Sequence, residues 1–451
     1  MLFTTVKSEG LAHNSYFLGA GGVAAVIDPR RDCDIYLDLS RKHNLKVSYI
    51  FETHRNEDYV SGSGELAEIT GAEILHGAGL DFGYGTTVKE GDTFSIGSIR
   101  FEILETPGHT DESISIAVVD TEVGENVYMV FTGDALFAGD VGRTDLYGTR
   151  EGRRLAEALY DSVREKLLTL GDGVIVCPAH GAGSVCGAEL ADHEYTTIGY
   201  EKKTNPVLQK NKEDFVQYKL NEELYRPPYF RKMEVYNKEG APLLHGLPFL
   251  RPVSPQELTS EKDAQVVDVR TPPSFAGGHI PGSVHIWKDG LPLFAGWILN
   301  YEDPIILVGE GSENTEEIVR YLIRLGYDNL SGYLAGGFAS WYKNGYPFKT
   351  IDTWTVYQLY EALNSSVYLL DVREKRHWEE GYIQGAHHMY VGTLRDHLSE
   401  IPDTNVVVYC DSGYKTGIAT SLLQRSGTEK VSGVLGGIMA WKKAGFPLVV
   451  P

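Results

Sequence analysis

The sequence has 451 residues, more than a single hydrophobic core usually organises, which predicts two or three domains. Hydrophobic residues make up 42% and charged residues 23% of the chain, ordinary values for a folded protein that exclude disorder as the default state. The formal net charge of −21 argues against a nucleic-acid partner, because affinity for phosphate backbones comes from lysine and arginine.

The chain begins MLFTTVKSEG, which has no apolar stretch like that of a signal peptide, and no run of 18 apolar residues follows. We therefore expect a cytoplasmic protein without a membrane partner. The four cysteines include no CxxC pair, so they predict neither a disulfide framework nor a zinc ribbon. They are Cys33, Cys177, Cys186 and Cys410.

The first 205 or so residues contain short apolar runs that predict strands. Several of these runs are followed by short polar segments rich in His and Asp. The apolar runs are AAVID, VSYIF, FEILE, YMVF and VIVC, and the polar segments are ETH, TPGHT, TGD and CPAHG. Strands of an α/β protein that deliver such side chains from their ends are typical of a metal site.

The stretch ETHRNEDYVSGSG, from Glu52 to Gly64, resembles the THxHxDH signature of the metallo-beta-lactamase superfamily. The resemblance continues in the same order through TPGHT at Thr106, FTGDALF at Phe131 and CPAHG at Cys177. It implies an αββα sandwich for the N-terminal domain.

Two departures from that signature change the chemistry that it implies. Asn56 stands where the second His belongs and Tyr59 where the last one belongs, so each metal of a dinuclear hydrolytic site would lose a ligand. His54, His109 and Asp134 survive. Two imidazoles and one carboxylate suit a single Fe(II), with open positions for substrate and O₂.

Within the superfamily this pattern looks like the persulfide dioxygenases, as do GDVGRTDL and IDPRRD. The resemblance implies oxidation of a low-molecular-weight thiol persulfide by O₂ to sulfite and thiol, at one Fe(II) per chain. It makes Arg143 a candidate contact for the substrate's carboxylate, because arginine binds carboxylates with two parallel hydrogen bonds.

Other residues near these motifs have weaker assignments. Asp58 and His180 are partial remains of the second metal site, and a hydrogen bond to a metal ligand or a vestigial position suits His180 better than ligation. Tyr59 either packs or hydrogen-bonds near the iron. A sulfur-relay role is open for Cys186, whereas Cys177 ends an apolar strand and fits a core residue.

Residues 206–247 contain a predicted amphipathic helix, KNKEDFVQYKLNEEL, which we expect the prolines of RPPYF to stop. We interpret this segment as a connector that packs on the first domain. The first domain is therefore predicted to span residues 1–247.

The remaining residues contain an internal repeat. VVDVR at Val266 recurs as LLDVR at Leu369, GHIPGSVHI at Gly278 recurs as GYIQGAHHM at Gly381, and LAGGFASW recurs as LGGIMAW. Each copy alternates β-branched runs with helical stretches, which predicts a small parallel α/β domain. The predicted domains are 248–349 and 350–451.

In the second copy, strand NVVVY runs into Cys410 and a helix follows. A cysteine between a strand end and a helix start is surrounded by backbone N–H groups, which favours the thiolate. The loop, with Lys415 at its rim, resembles the rhodanese active site, which implies that Cys410 carries a persulfide. The same resemblance assigns substrate contacts to Asp411, Ser412, Gly413, Tyr414 and Thr416.

The first copy aligns Gly309 with Cys410 and Asn314 with Lys415, and its loop is acidic. It is identified as an inactive rhodanese-like domain with a structural or docking role.

Together these features predict a persulfide dioxygenase with a C-terminal thiosulfate sulfurtransferase, which could produce thiosulfate from two persulfides. The implied small-molecule partners are a persulfide, O₂ and thiosulfate or sulfite. The resemblance also implies a homo-oligomer, either a dimer or a tetramer. Two alternatives stay open: a glyoxalase II-like thioester hydrolase, and a sulfur carrier or scaffold with a non-catalytic N-terminal domain.

Overall fold

The computed structural model describes residues 1–183, 195–311, 314–363 and 365–450. The chain divides into two compact units, one of Met1–Leu247 with Ile323–Gly326 and one of Pro248–Leu322 with Tyr327–Pro451. Across the described residues, every helix is too short or too polar to cross a membrane.

The first unit contains twelve strands among its described residues. They are β1 (Leu2–Ser8), β2 (His13–Ala20), β3 (Val23–Ile27), β4 (Lys46–Glu52), β5 (Glu73–Gly77), β6 (Thr86–Val88), β7 (Thr93–Ile96), β8 (Ile99–Glu105), β9 (Ile114–Asp120), β10 (Met129–Gly133), β11 (Ile175–Pro178) and β12 (Thr196–Thr197). They form two six-stranded sheets, in the orders β1-β2-β3-β4-β5-β6 and β12-β11-β10-β9-β8-β7.

The helices of this unit are α1 (Asp34–His43), α2 (Ser63–Thr70), α3 (Gly152–Asp161), α4 (Ile198–Thr204), α5 (Lys212–Leu220) and α6 (Phe230–Glu239). A π-helical turn, Ser162–Leu167, continues α3.

The two sheets pack face to face because side chains alternate along each strand and both faces are apolar. Phe51 of β4 and Phe131 of β10 belong to the cluster between the sheets. Ile50, the neighbour of Phe51, points the other way and packs with α1 and α2, while Val130 packs with α3 and α5. The result is a helix–sheet–sheet–helix sandwich, as the sequence predicted.

The connector differs in part from the prediction. Helix α5 ends at Leu220, well before the prolines at 227 and 228, and a second helix, α6, begins just after them. Both prolines lie before the N-cap residue Tyr229, in a turn in which the Phe230 N–H donates to the Pro227 carbonyl, so they lead into α6 rather than stopping α5. Phe215 and Val216 of α5 join the core beneath α3.

The second unit has ten strands among its described residues. They are β13 (Pro252–Val253), β14 (Gln265–Asp268), β15 (Val284–His285), β16 (Ile305–Val308), β17 (Leu330–Leu334), β18 (Asp352–Trp354), β19 (Tyr368–Asp371), β20 (His387–His388), β21 (Val406–Tyr409) and β22 (Val431–Val434).

Its helices are α7 (Pro255–Leu258), α8 (Pro272–Gly277), α9 (Leu291–Ile298), α10 (Thr315–Arg324), α11 (Gly337–Lys343), α12 (Val356–Ala362), α13 (Lys375–Glu379), α14 (Tyr414–Arg425) and α15 (Gly437–Lys443).

The internal repeat appears as two five-stranded parallel sheets with the same strand order, β13-β17-β16-β14-β15 and β18-β22-β21-β19-β20. Repeated motifs make repeated contacts. The Arg of each DVR motif grips its own Asp, with Arg270 Nη2 and Arg373 Nη2 each 2.6 Å from the carboxylate. The two parallel sheets confirm the predicted fold class of the C-terminal half.

Candidate metal centre and cysteine loop

Three side chains that the sequence singled out meet at one edge of the sandwich. His54 follows β4, His109 lies in the loop after β8, and Asp134 follows β10 directly. Their ligand atoms all lie within 4.8 Å of one another, and all three residues are buried. Asp134 Oδ2 is 3.7 Å from His54 Nε2 and 3.5 Å from His109 Nε2.

Hydrogen bonds on the far side of each imidazole fix its orientation. His54 Nδ1 donates to Thr53 Oγ1 at 2.9 Å, and that hydroxyl donates to Asp28 at 2.8 Å. His109 Nδ1 donates to the backbone carbonyl of Arg143 at 2.9 Å. Because both Nδ1 atoms carry the proton, both Nε2 atoms can present lone pairs towards Asp134.

The charges around this cluster shift its protonation. Burial lowers the pKa of His54 to about 4. Burial also acts to lower the pKa of His109, but the Glu57 and Asp134 carboxylates outweigh it and raise that pKa to about 9. For Asp134, burial is outweighed by His180 and His54, which hold the pKa of its carboxyl well below the usual range.

These residues fit a divalent metal ion. His54 Nε2, His109 Nε2 and Asp134 Oδ2 are buried, and none makes a hydrogen bond of acceptable geometry to a residue that the structure describes. Buried polar atoms without such partners are costly unless another group satisfies them. Two imidazole nitrogens and a carboxylate oxygen are a donor set that transition metals bind.

The remains of the second metal site contact Asp134 and one another, but His180 Nε2 and both Asp58 carboxylate oxygens make no hydrogen bond of acceptable geometry within the described residues. His180 Nδ1 lies 2.7 Å from Asp134 Oδ1, and its Nε2 lies 3.0 Å from Asp58 Oδ2. The ring of Tyr59 packs on that of His13 with centroids 3.9 Å apart, and its hydroxyl makes no hydrogen bond within the described residues. Asn56 donates from its side-chain nitrogen to the backbone carbonyl of His54 at 3.3 Å.

Motif reasoning missed two features of this site. Glu57 is fully buried, with Oε1 only 3.3 Å from His109 Nε2, although it occupies a variable position between two signature residues. The Asp28–Thr53 pair that orients His54 was also missed. Thr53 belongs to the motif, and IDPRRD contains Asp28, but nothing in the spacing indicates that they touch.

Arg143 is placed differently from a free carboxylate-binding group. Its guanidinium is buried, with Nε 2.7 Å and Nη2 2.8 Å from the Asp145 carboxylate, and Nη1 bonds to the backbone of Tyr225. Its backbone carbonyl also accepts the hydrogen bond from His109 Nδ1, and the predicted contact of Arg143 with the substrate's carboxylate stays a prediction.

Cys177 lies in the core between the sheets, as expected from its place at the end of an apolar strand. Burial raises the pKa of its thiol to about 12, so it is poorly suited to sulfur chemistry. The relay role considered for Cys186 falls outside the described residues.

In the second unit, Cys410 stands between β21 and α14 as the sequence predicted. The residue is 1% exposed, and the Gly413 N–H donates to its Sγ at 3.1 Å. Gly413 has a φ of +102°, a conformation that favours glycine. Lys415 Nζ forms an ion pair with Asp411 at 3.0 Å.

The rest of the loop divides into exposed and buried positions. Ser412 is exposed and Tyr414 is 46% exposed, whereas Thr416 is buried in the first turn of α14. Backbone N–H groups of α15 donate to the carbonyls of Cys410 and Asp411. A Cβ at Gly437 would lie 2.1 Å from the Cys410 carbonyl oxygen, which explains why the second glycine of LGGIMAW is a glycine.

The loop of the first repeat that aligns with the Cys410 loop has no cysteine in its sequence. Gly309 occupies the cysteine position, and the acidic side chains around it are partly neutralised. Glu317 pairs with Lys288 at 3.0 Å, and Glu316 pairs with Arg320 at 2.8 Å.

Known proteins resemble both parts of the chain. The metallo-beta-lactamase superfamily model matches residues 9–180, and the rhodanese-like domain model matches residues 254–344 and 355–444. Hydroxyacylglutathione hydrolase GloC of Haemophilus influenzae is 30% identical over 207 residues, which are 41% of this chain and 87% of that protein. The mitochondrial persulfide dioxygenase ETHE1 of Bos taurus is 31% identical over 210 residues, 44% of this chain and 72% of that protein.

A solved structure described as a metallo-beta-lactamase from Staphylococcus aureus is 29% identical, with a TM-score of 0.68. The match covers 74% of this chain and 99% of that one. Family models, relatives and fold agree with the resemblance identified from the motifs. The chain therefore belongs to the metallo-beta-lactamase superfamily, and its metallo-beta-lactamase domain is followed by two rhodanese-like domains.

Proposed function

We propose that the first unit oxidises a low-molecular-weight thiol persulfide with O₂ at a single Fe(II) held by His54, His109 and Asp134. We further propose that Cys410 passes sulfane sulfur between small molecules. The similarity to persulfide dioxygenase ETHE1 and the two rhodanese-like domains support this combination.

One observation carries the proposal for the metal site. Among the residues that the structure describes, one set of three ligand atoms converges, while Asn56 and Tyr59 stand where a second metal would need imidazoles. Hydrolysis at a metal pair needs both sites, whereas O₂ chemistry at iron needs a three-ligand face with open positions.

The chain's residues divide this work. Bound Fe(II) would supply electrons to O₂ and a binding position for the persulfide. Thr53 and the Arg143 carbonyl hold the two imidazoles in their metal-binding tautomers. Overall, one persulfide anion, one O₂ and one water give sulfite, thiol and a proton, so that the terminal sulfur is oxidised as O₂ is reduced.

At Cys410 the transfer needs no outside oxidant. The thiolate attacks the outer sulfur of a persulfide, and the donor's own S–S bond breaks, its electron pair leaving with the donor thiolate. A lone pair of sulfite then attacks the sulfur held on Cys410, which forms thiosulfate and restores the thiolate. Lys415 and the backbone N–H groups of the loop would bind the anionic sulfur donor and acceptor.

Several further assignments belong to this proposal. They are the domain boundaries 1–247, 248–349 and 350–451, a cytoplasmic location and a homo-oligomeric assembly. Tethering the two activities would raise the concentration of sulfite near Cys410.

A thioester hydrolase is the second candidate, because GloC of Haemophilus influenzae is named a hydroxyacylglutathione hydrolase. The losses at Asn56 and Tyr59 favour the oxygenase over this candidate.

Metal analysis after anaerobic reconstitution separates the two candidates. We expect about one iron per chain and O₂ uptake driven by a thiol persulfide. Two zinc ions per chain with hydrolysis of a lactoyl thioester would overturn the proposal. In a separate assay, Cys410→Ser should abolish sulfur transfer from thiosulfate and leave O₂ uptake intact, and His109→Ala should do the reverse.

A further inference from the structure

The first repeat covers one face of α14, the helix that follows Cys410. Gly417, Ser421 and Gln424 lie on this face, one per turn. A Cβ at Gly417 would lie 2.5 Å from His285 Nδ1, so the imidazole rests directly on the helix backbone. The His285 N–H donates to Ser421 Oγ at 3.1 Å.

The contact continues to the end of the helix, where His279 Nε2 is hydrogen-bonded to the Gln424 side chain at 2.7 Å. His279 and His285 are themselves fixed within the first repeat. His279 Nδ1 bonds to the Phe275 carbonyl at 3.0 Å, and His285 Nε2 bonds to the Arg270 carbonyl at 3.0 Å. Each imidazole therefore bonds within the first repeat through one ring nitrogen and meets α14 with the other.

At the start of the helix, an aromatic pair joins the first repeat to the cysteine loop. The rings of Trp287 and Tyr414 have centroids 5.1 Å apart. Tyr414 follows Gly413, whose N–H bonds to Cys410 Sγ. Trp287 packs against Phe294 at 5.5 Å, and a Cβ at Gly290 would lie 2.6 Å from its indole, so the first repeat holds this ring in place.

Tyr390 corresponds to Trp287 in the second repeat, and its ring contact within the described residues is a different one. Tyr390 packs instead on Trp297, with centroids 5.7 Å apart. Within the described residues, the aromatic contact with the cysteine loop thus comes from the repeat that has no nucleophile of its own.

We propose that the first repeat is the positioning half of the Cys410 site. Trp287 acts through Tyr414, and His285 acts through Gly417, to keep the start of α14 where the Gly413 N–H meets Cys410 Sγ. This inference rests on the proposed role of Cys410 as the sulfur carrier. It assigns a task to a domain that cannot carry sulfur itself.

The test measures the reactivity of Cys410 in the full chain, which does not depend on the sulfur-transfer assay. The rate of alkylation of the Cys410 peptide by iodoacetamide at neutral pH is followed by mass spectrometry. Loss of one hydrogen bond to a thiolate corresponds to about a tenfold change in a rate governed by that anion. We therefore expect Trp287→Ala to slow alkylation about fivefold to tenfold, to lower kcat for sulfur transfer and to leave KM nearly unchanged.

Two further variants separate positioning from general damage. Trp287→Phe should restore most of the rate, because an aromatic ring still meets Tyr414. Tyr414→Ala removes the same contact from a ring that is 46% exposed, so it opens no core and should slow alkylation similarly.

Tyr390→Ala is the matched control, since it removes from the same pair of repeats an aromatic ring whose described ring contact is with Trp297 and not with Tyr414. Unchanged alkylation in both Trp287→Ala and Tyr414→Ala would overturn the inference, and so would an equal loss in Tyr390→Ala. If Cys410→Ser left sulfur transfer intact, the proposed function would fail instead.

Discussion

The Glu57 carboxylate lies 3.3 Å from His109 Nε2, the nitrogen that faces Asp134. In the metal-free protein this carboxylate stabilises the proton that a metal must displace, because with Asp134 it raises the pKa of His109 to about 9. Below that pH, each unit of acidification should weaken metal binding about tenfold, since one proton is released on binding.

Glu57→Gln removes the charge and should lower the pH at which protons begin to compete with the metal, by about one unit or more. Co(II) titrations of the metal-free protein, followed by absorbance between about pH 6 and pH 9, measure this shift. Glu65→Gln is the control, because Glu65 is also buried but bonds to the Leu244 N–H. An identical pH dependence in wild type and Glu57→Gln would contradict the prediction.

Thr53→Val should weaken metal binding about 10-fold to 100-fold, the usual effect of losing a partner that orients a ligand. The substitution keeps the shape of the side chain but removes the hydroxyl between His54 Nδ1 and Asp28. Metal content after dialysis against a competing chelator measures the change. Thr106→Val is the matched control, because Thr106 is equally buried and its hydroxyl meets Ser115. Equal retention of metal by the two variants would argue against the orienting role.

Gly417→Ala should destabilise the second unit, although alanine normally favours a helix over glycine. The new Cβ would lie 2.5 Å from His285 Nδ1, and such overpacking costs about 1–3 kcal/mol of the free energy of unfolding. Gly277→Ala is the control, because nothing lies within 4 Å of a Cβ at the end of α8. All six tryptophans follow residue 247, so tryptophan fluorescence in urea reports on this unit. A Gly417→Ala variant as stable as wild type would show that the two repeats are not packed this closely.

His285 should make the second unit sensitive to acid. Burial lowers the pKa of its imidazole to about 4, against 6.5 for an exposed histidine. The unfolded chain therefore takes up a proton between these values that the folded chain does not, and the free energy of unfolding falls as the pH drops from about 6.5 to about 4. The loss is at most about 3 kcal/mol.

The matching experiment compares wild type with His285→Gln at both ends of this window, again by tryptophan fluorescence in urea. The difference in stability between the two proteins should shrink as the pH falls, because the variant has no imidazole to protonate. Parallel pH dependences would refute the assignment.

Much of the fold follows from local sequence. Strand runs such as VSYIF and VIVC are apolar on both faces because each sheet lies between the other sheet and a layer of helices. Because VVDVR recurs as LLDVR, the sequence predicted two copies of the same sheet. Helix α6 escaped prediction because the prolines before it were interpreted only as a stop, although proline is also common in the turn that leads into a helix.

The sequence alone also singled out His54, His109, Asp134 and Cys410, since each follows a strand or stands in an ordered motif. Order along the chain is enough for this, because strand ends of a sheet meet at one edge. The direction of each side chain and its distant partners were decided only by the tertiary structure. The Arg143 guanidinium is hydrogen-bonded to Asp145, and the Glu57 carboxylate lies beside His109. His285 of the first repeat packs against helix α14 of the second repeat. Such pairings depend on how separate elements pack, which no spacing within a motif records.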